Sequence, residues 1–123
     1  MITIAREGRP MSTYLPGPHA TRSRAVIHDG LVFAVSSVAN KSAGMYEQSR
    51  QALAHIDATL NEAGTDKSRI LSAIVYIADM TQKPEMNRAW DAWADRSHPP
   101  MRACIGATLE GATLVEIVVT AAN

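Results

Sequence analysis

Three side chains late in the sequence have types and spacing suited to chemistry: Arg102, Cys104 and Glu116. The first two follow Pro99-Pro100, which ends any preceding helix because proline lacks an amide hydrogen and biases the residue before it towards extended geometry. A strand is therefore expected to begin near Met101. Its alternation puts Arg102, Cys104 and Gly106 on one face and Met101, Ala103 and Ile105 on the other. A guanidinium then stands beside a thiol, and its planar fork of donors fits a carboxylate or a phosphate. The glycine would let a ligand come close to the backbone. Beyond the turn-like Glu110-Gly111-Ala112, the run Leu114-Val115-Glu116-Ile117-Val118-Val119-Thr120 carries one ionisable residue. Glu116 is either at an exposed pleat position or held by a partner such as Arg102. A structural ion pair is the plainer alternative for the two.

The rest of the chain must supply the frame. Residues 2–5 alternate like a short strand, and the Pro/Gly-rich segment 15–21 reads as an irregular loop packed over another element or a neighbouring chain. Asp29-Gly30 between two β-rich runs, 24–28 and 31–36, predicts a hairpin. After Asn40-Lys41-Ser42, a loop suited to cap a helix, Ser49, Ala52, Leu53, Ile56, Leu60 and Ala63 recur at helical spacing, and Gly64 ends the helix. The nearly continuous apolar run 70–78 predicts a strand covered on both faces. Pro84 suits the first turn of a second helix with Met86, Ala89, Trp90, Trp93 and Ala94 on one side. Two final strands, read as a hairpin-like pair, close the chain.

This order predicts an α+β fold: one mixed or mostly antiparallel sheet of about six strands with both helices on one face. Val26, Val32, Ile74, Tyr76 and Val118 are among more apolar side chains than one helix layer can cover. Self-association, with cyclic symmetry, is expected to cover the rest.

The 123 residues suit a single domain, 1–123, with 12 basic and 12 acidic side chains. That balance, few aromatics and no basic stripe make a nucleic-acid platform an unfavoured reading. The segment after Met1 lacks a signal-peptide pattern, and no stretch approaches the roughly 20 apolar residues of a membrane helix. One cysteine cannot form an internal disulfide, so a cytoplasmic protein is expected. His19, His28, His55 and His98 lack ligand spacing, which argues against a metal site. His55 reads as a partly exposed surface group, Cys104 as a small pocket-lining hydrophobe, and Trp90 and Trp93 as packing residues, with Trp90 also placed to touch a ligand.

Four segments together resemble the RidA/YjgF reactive-intermediate deaminase family, and within it the YoaB-like group. They are Ala25-Val26-Ile27-His28-Asp29-Gly30-Leu31-Val32-Phe33, Met86-Asn87-Arg88-Ala89-Trp90-Asp91-Ala92-Trp93, Pro100-Met101-Arg102-Ala103-Cys104 and Val115-Glu116-Ile117. The resemblance implies a chorismate-mutase-like α+β fold assembling as a homotrimer around an inner barrel, with clefts at subunit interfaces. It implies hydrolysis of 2-imino or enamine acids to 2-keto acids and ammonia, with no cofactor and no metal. Arg102 matches the arginine that clamps the substrate carboxylate, and Glu116 the glutamate that positions or activates water. Cys104, Asn87 and Trp90 match cleft positions. Two departures alter the rim of that cleft. Val35-Ser36-Ser37 stands where the family has Ser-Gly-Gln, leaving Ser36 and Ser37 as substrate-binding candidates. No tyrosine occurs near Thr21-Arg22-Ser23, where Arg22 or Arg24 is a candidate second anion contact, suiting a dicarboxylate. The alternatives are a non-catalytic trimer that binds small carboxylates and, less favoured, a ribonuclease or translation-modulating protein.

Overall fold

A computed structural model describes residues 11–123; the short strand expected at residues 2–5 lies outside them. The elements run β1 (Thr13–His19), β2 (Arg22–His28), β3 (Leu31–Val35), α1 (Met45–Glu62), β4 (Ile70–Ile77), α2 (Lys83–Trp93), β5 (Met101–Gly106) and β6 (Val115–Ala122). The strands form one mixed sheet in the order β1-β2-β3-β6-β4-β5, in which β4 and β5 are parallel and the other neighbours antiparallel. The α+β architecture expected from the element order is present.

Two expectations are corrected. Segment 15–21 is mostly strand rather than irregular loop, because β1 lies at the edge of the sheet, where a proline's missing amide leaves no ladder bond unmade. Its irregularity survives as register shifts at Pro16. Gly17 is required there, since a Cβ would stand 2.7 Å from the Arg22 carbonyl oxygen. The last two strands do not form a hairpin. β6 inserts between β3 and β4, whereas β5 pairs outside β4, in parallel, after α2 has carried the chain back. A parallel pair needs such a crossover, and α2 is its natural vehicle.

The Asp29-Gly30 hairpin forms with both residues at positive φ, 49° and 81°, the geometry that matches strand twist. Helix α1 buries Ser49, Ala52, Leu53, Ile56 and Leu60 as its spacing requires, and Gly64 follows it at φ 85°. Ile56 and Leu60 are fully buried, worth about 1.5–3 kcal/mol each by removal from water. The cap differs from expectation, since Gly44 is the N-cap and provides no side-chain bond. Asn40 instead accepts from Ser42 within its own loop. Gln48, fully buried, ties the region together: its amide nitrogen donates to the carbonyls of Lys41, Ala43 and Ala112, and its oxygen accepts from the Leu114 amide.

Both helices cover one face of the sheet. Ala25, Val32, Ala34, Ala73, Val75, Ile77, Val115, Ile117, Val119 and Ala121 point into that core. Val32 thus belongs to the covered face. The opposite face carries Tyr14, Phe33, Ile105, Val118 and Met101, the last 74% exposed. An apolar strip of this kind on a sheet face is unusual in a protein that stays monomeric.

Candidate functional site

Strand β5 delivers Arg102 and Cys104 to the helix-covered face, as alternation predicts: both are half-buried, while Met101, Ala103 and Ile105 are exposed. The Arg102 guanidinium is held from α2. One nitrogen donates to Asn87 Oδ1 at 2.9 Å, another lies 3.8 Å from the Met86 sulfur, and its carbon stands 5.0 Å from the centre of the Trp90 ring. These partners are all neutral. Among the described residues no carboxylate lies within salt-bridge distance of Arg102. The structural ion pair is thereby set aside, and a half-buried positive charge remains available to an anion.

Asn87 and Trp90 owe their places to α2. Met86, Ala89 and Trp90 turn inward at helical spacing, Trp90 packs at 5.2 Å against Trp93, and Asn87 follows Met86 towards β5. Asn87 spends its oxygen on Arg102 and keeps its two N–H donors. Cys104, a free thiol, lies two residues along the strand on the same face as Arg102. Gly106 does not leave room for a ligand at the backbone: a Cβ there would stand 2.9 Å from the Met80 side chain, so the space is already used.

Glu116 is elsewhere. It alternates with the buried Val115 and Ile117 on β6, so it points from the opposite, exposed face and pairs across the sheet with Tyr76. Of the two readings open for it, the exposed pleat position holds; Arg102 of the same chain is not its partner. Ser36 and Ile117 exchange hydrogen bonds of 2.8 Å, with the Ser36 hydroxyl accepting from the Ile117 amide. That bond locks the buried Ser36 and brings Ser37 level with Glu116.

Ser36, Ser37 and Glu116 line an open cavity of about 680 Å³, closed on its other sides by the β1–β2 turn and by α1. Arg22, Ser23, Arg24, His19 and His55 complete its polar lining. Arg24 reaches α1 because the register shift in the β1–β2 ladder leaves it as an extra residue between Ser23 and Ala25. It donates to the Pro16 carbonyl at 3.0 Å, to the Thr59 hydroxyl at 3.3 Å and to Glu62 at 2.7 Å. Helical spacing marked His55 only as a surface group. It is half-buried, its Nδ1 is enclosed without a partner, and burial together with Arg24 lowers its pKa below the usual histidine value.

The candidate residues therefore fall into two groups, one on β5 and α2 under the helix layer and one around the Glu116 cavity, which His55 of α1 also lines. Arg102, Asn87, Trp90 and Cys104 make up the first group; in the second, Glu116 is on the exposed face, Ser37 is level with it and Ser36 is buried beside them. Among the described residues no three His, Cys, Asp or Glu side chains gather as metal ligands, and no helix is long and apolar enough to cross a membrane.

Comparison with known proteins gives a consistent result. The family described as Endoribonuclease L-PSP matches residues 15–123. A RutC family protein of Haemophilus ducreyi is 44% identical over 102 residues, covering 81% of this chain and 87% of that protein. The RutC family protein YoaB of Escherichia coli is 39% identical over 101 residues, covering 81% and 89%. The crystal structure of a YjgF family member from Neisseria meningitidis superposes with a TM-score of 0.84 at 38% identity, over 92% of this chain and 95% of that one.

Proposed function

The chain belongs to the endoribonuclease L-PSP family, also known as YjgF/RidA, and from that premise we propose that it hydrolyses 2-imino acids and their enamine tautomers to 2-keto acids and ammonia. The observation that carries this reading is the Arg102 guanidinium, half-buried and held only by neutral partners, which suits it to clamp a substrate carboxylate.

In this reading Arg102 fixes the carboxylate, and the adjacent protonated imine carbon is electrophilic enough for water to attack. Glu116 accepts a proton from that water as the C–O bond forms. Glu116 then returns that proton to the nitrogen of the neutral carbinolamine, the C–N bond breaks to release ammonia, and the hydroxyl proton leaves as the carbonyl forms, ending on the ammonia as ammonium. Cys104, Asn87 and Trp90 line the clamp side of the cleft, and Ser36 and Ser37 the water side. No cofactor or metal enters the scheme.

Since Arg102 and Glu116 face opposite ways, a site containing both is made from two copies of the chain. A cyclic homotrimer in the cytoplasm, its exposed sheet faces turned inward, supplies such interfaces and covers Phe33, Val118 and Met101. The family's endoribonuclease label offers a second reading, but the balanced charge gives no overall attraction to RNA.

The test is ammonia release from 2-iminobutanoate and 2-iminopropanoate, generated in place by an amino-acid oxidase, for wild type, Arg102→Ala and Glu116→Ala. Turnover by wild type and its loss in both variants is expected. Undiminished turnover in Arg102→Ala would refute the clamp.

A further inference from the structure

Next to Glu116 the cavity extends well past the volume that a short 2-imino acid needs, and its far end is rich in hydrogen-bond donors. Arg24 is fixed there by three partners on β1 and α1, and Glu62 shares its charge. Arg22 differs. Among the described residues its side chain has one polar partner, the Thr21 hydroxyl at 3.3 Å, and no carboxylate. His55, whose pKa burial and Arg24 lower, adds a ring with an enclosed, unpartnered Nδ1. Among the described residues Glu116 is the only acidic one in the lining.

We propose that this end of the cavity binds a second carboxylate, so that the substrates it favours are the imines of amino dicarboxylic acids. The inference rests on the deaminase reading above and specifies its substrate class. One carboxylate goes to Arg102 of one copy. The other, several bonds away along the substrate, goes to the Arg22 and Arg24 end of the neighbour's cavity, on the far side of the water held at Glu116. A single uncommitted guanidinium matches a singly charged carboxylate, whereas a doubly charged phosphate so near Glu116 would meet repulsion. The anchored Arg24 lowers the entropy lost on binding, since its side chain is already fixed.

The experiment compares kcat/KM for 2-iminoglutarate and 2-iminobutanoate, each generated in place by an oxidase, in wild type, Arg22→Gln and Arg22→Lys. In parallel, calorimetry measures binding of 2-oxoglutarate, 2-oxobutanoate and inorganic phosphate. The expected result is a diacid preference in wild type that falls about tenfold or more in Arg22→Gln, the scale of one charge-assisted hydrogen bond. Arg22→Lys should restore part of it. Tighter binding of 2-oxoglutarate than 2-oxobutanoate, lost in Arg22→Gln, is expected whether or not turnover is seen. Turnover of the monoacid with an unchanged diacid ratio in Arg22→Gln overturns this inference and leaves the deaminase reading standing. Diacid-selective binding without turnover of either imine overturns the deaminase reading and keeps the second-carboxylate site. Phosphate bound as tightly as 2-oxoglutarate overturns the assignment to a carboxylate.

Discussion

If the catalytic site takes Arg102 from one copy and Glu116 from the next, two inactive variants should rescue one another. Arg102→Ala subunits keep Glu116, and Glu116→Ala subunits keep Arg102. Mixed at equal amounts in a ring, an interface is intact when its first copy retains the arginine and its second the glutamate. Each condition holds half the time, so unsorted rings return about a quarter of wild-type activity; in a trimer each ring carrying both variants has one intact interface of its three, so rings purified through both tags should show about a third. The geometry behind this is the alternation of β6 and β5: Glu116 on the exposed face, Arg102 on the face under α2. The variants would carry different affinity tags, be unfolded together, refolded and purified through both tags, with native mass spectrometry reporting the mixed species. Ammonia release from 2-iminobutanoate gives the readout. Mixed rings present in the expected proportion yet as inactive as their parents would refute the shared site.

Other outcomes concern the frame. Gln48→Leu leaves the Leu114 amide and three carbonyls without their partner in a buried place, so chemical denaturation should show a loss of about 2–4 kcal/mol. Gly17→Ala pushes a methyl group against the Arg22 carbonyl and should lower stability by about 1–3 kcal/mol, measured the same way. His55 has a folded pKa below its unfolded value, so the unfolded chain binds the proton more readily. Its contribution to stability is complete above the ordinary histidine pKa of about 6.5 and is lost as pH falls from there towards the folded pKa. A His55→Gln variant should show a flatter decline in melting temperature across that window.

What could be read from the sequence was what local rules decide. Asp29-Gly30 named its hairpin, the spacing from Ser49 to Ala63 named α1 and its buried face, and the alternation around Arg102 assigned its side of the sheet. Strand partners are settled by contacts distant in sequence, and there reading failed: nothing local tells β6 to insert between β3 and β4. Pro16 and Pro18 suggested a loop because their cost in a strand depends on whether the strand is an edge. Arg102 and Glu116 each stand out in the sequence as candidates, yet their separation on opposite faces needs the register of both strands. Arg24 was hidden by a bulge, since simple alternation would aim it away from Thr59 and Glu62. No periodicity marks His55 as a pocket residue.

The central place of β6 also has a kinetic side. The strand that comes last in chain order holds together two units formed from earlier sequence, β1-β2-β3 and the β4-α2-β5 crossover. Neither unit can complete its ladder until β6 arrives, because β3 and β4 each need it as a neighbour. Leu31 meets Ala122 and Val35 meets Val118 across most of the chain's length, so closing the sheet requires large loops to be ordered before their contacts form. Such a topology folds on the slow side for its size. Until β6 docks, the unpaired edges of β3 and β4 are open to pairing with other chains, and a newly made molecule is then most prone to aggregate.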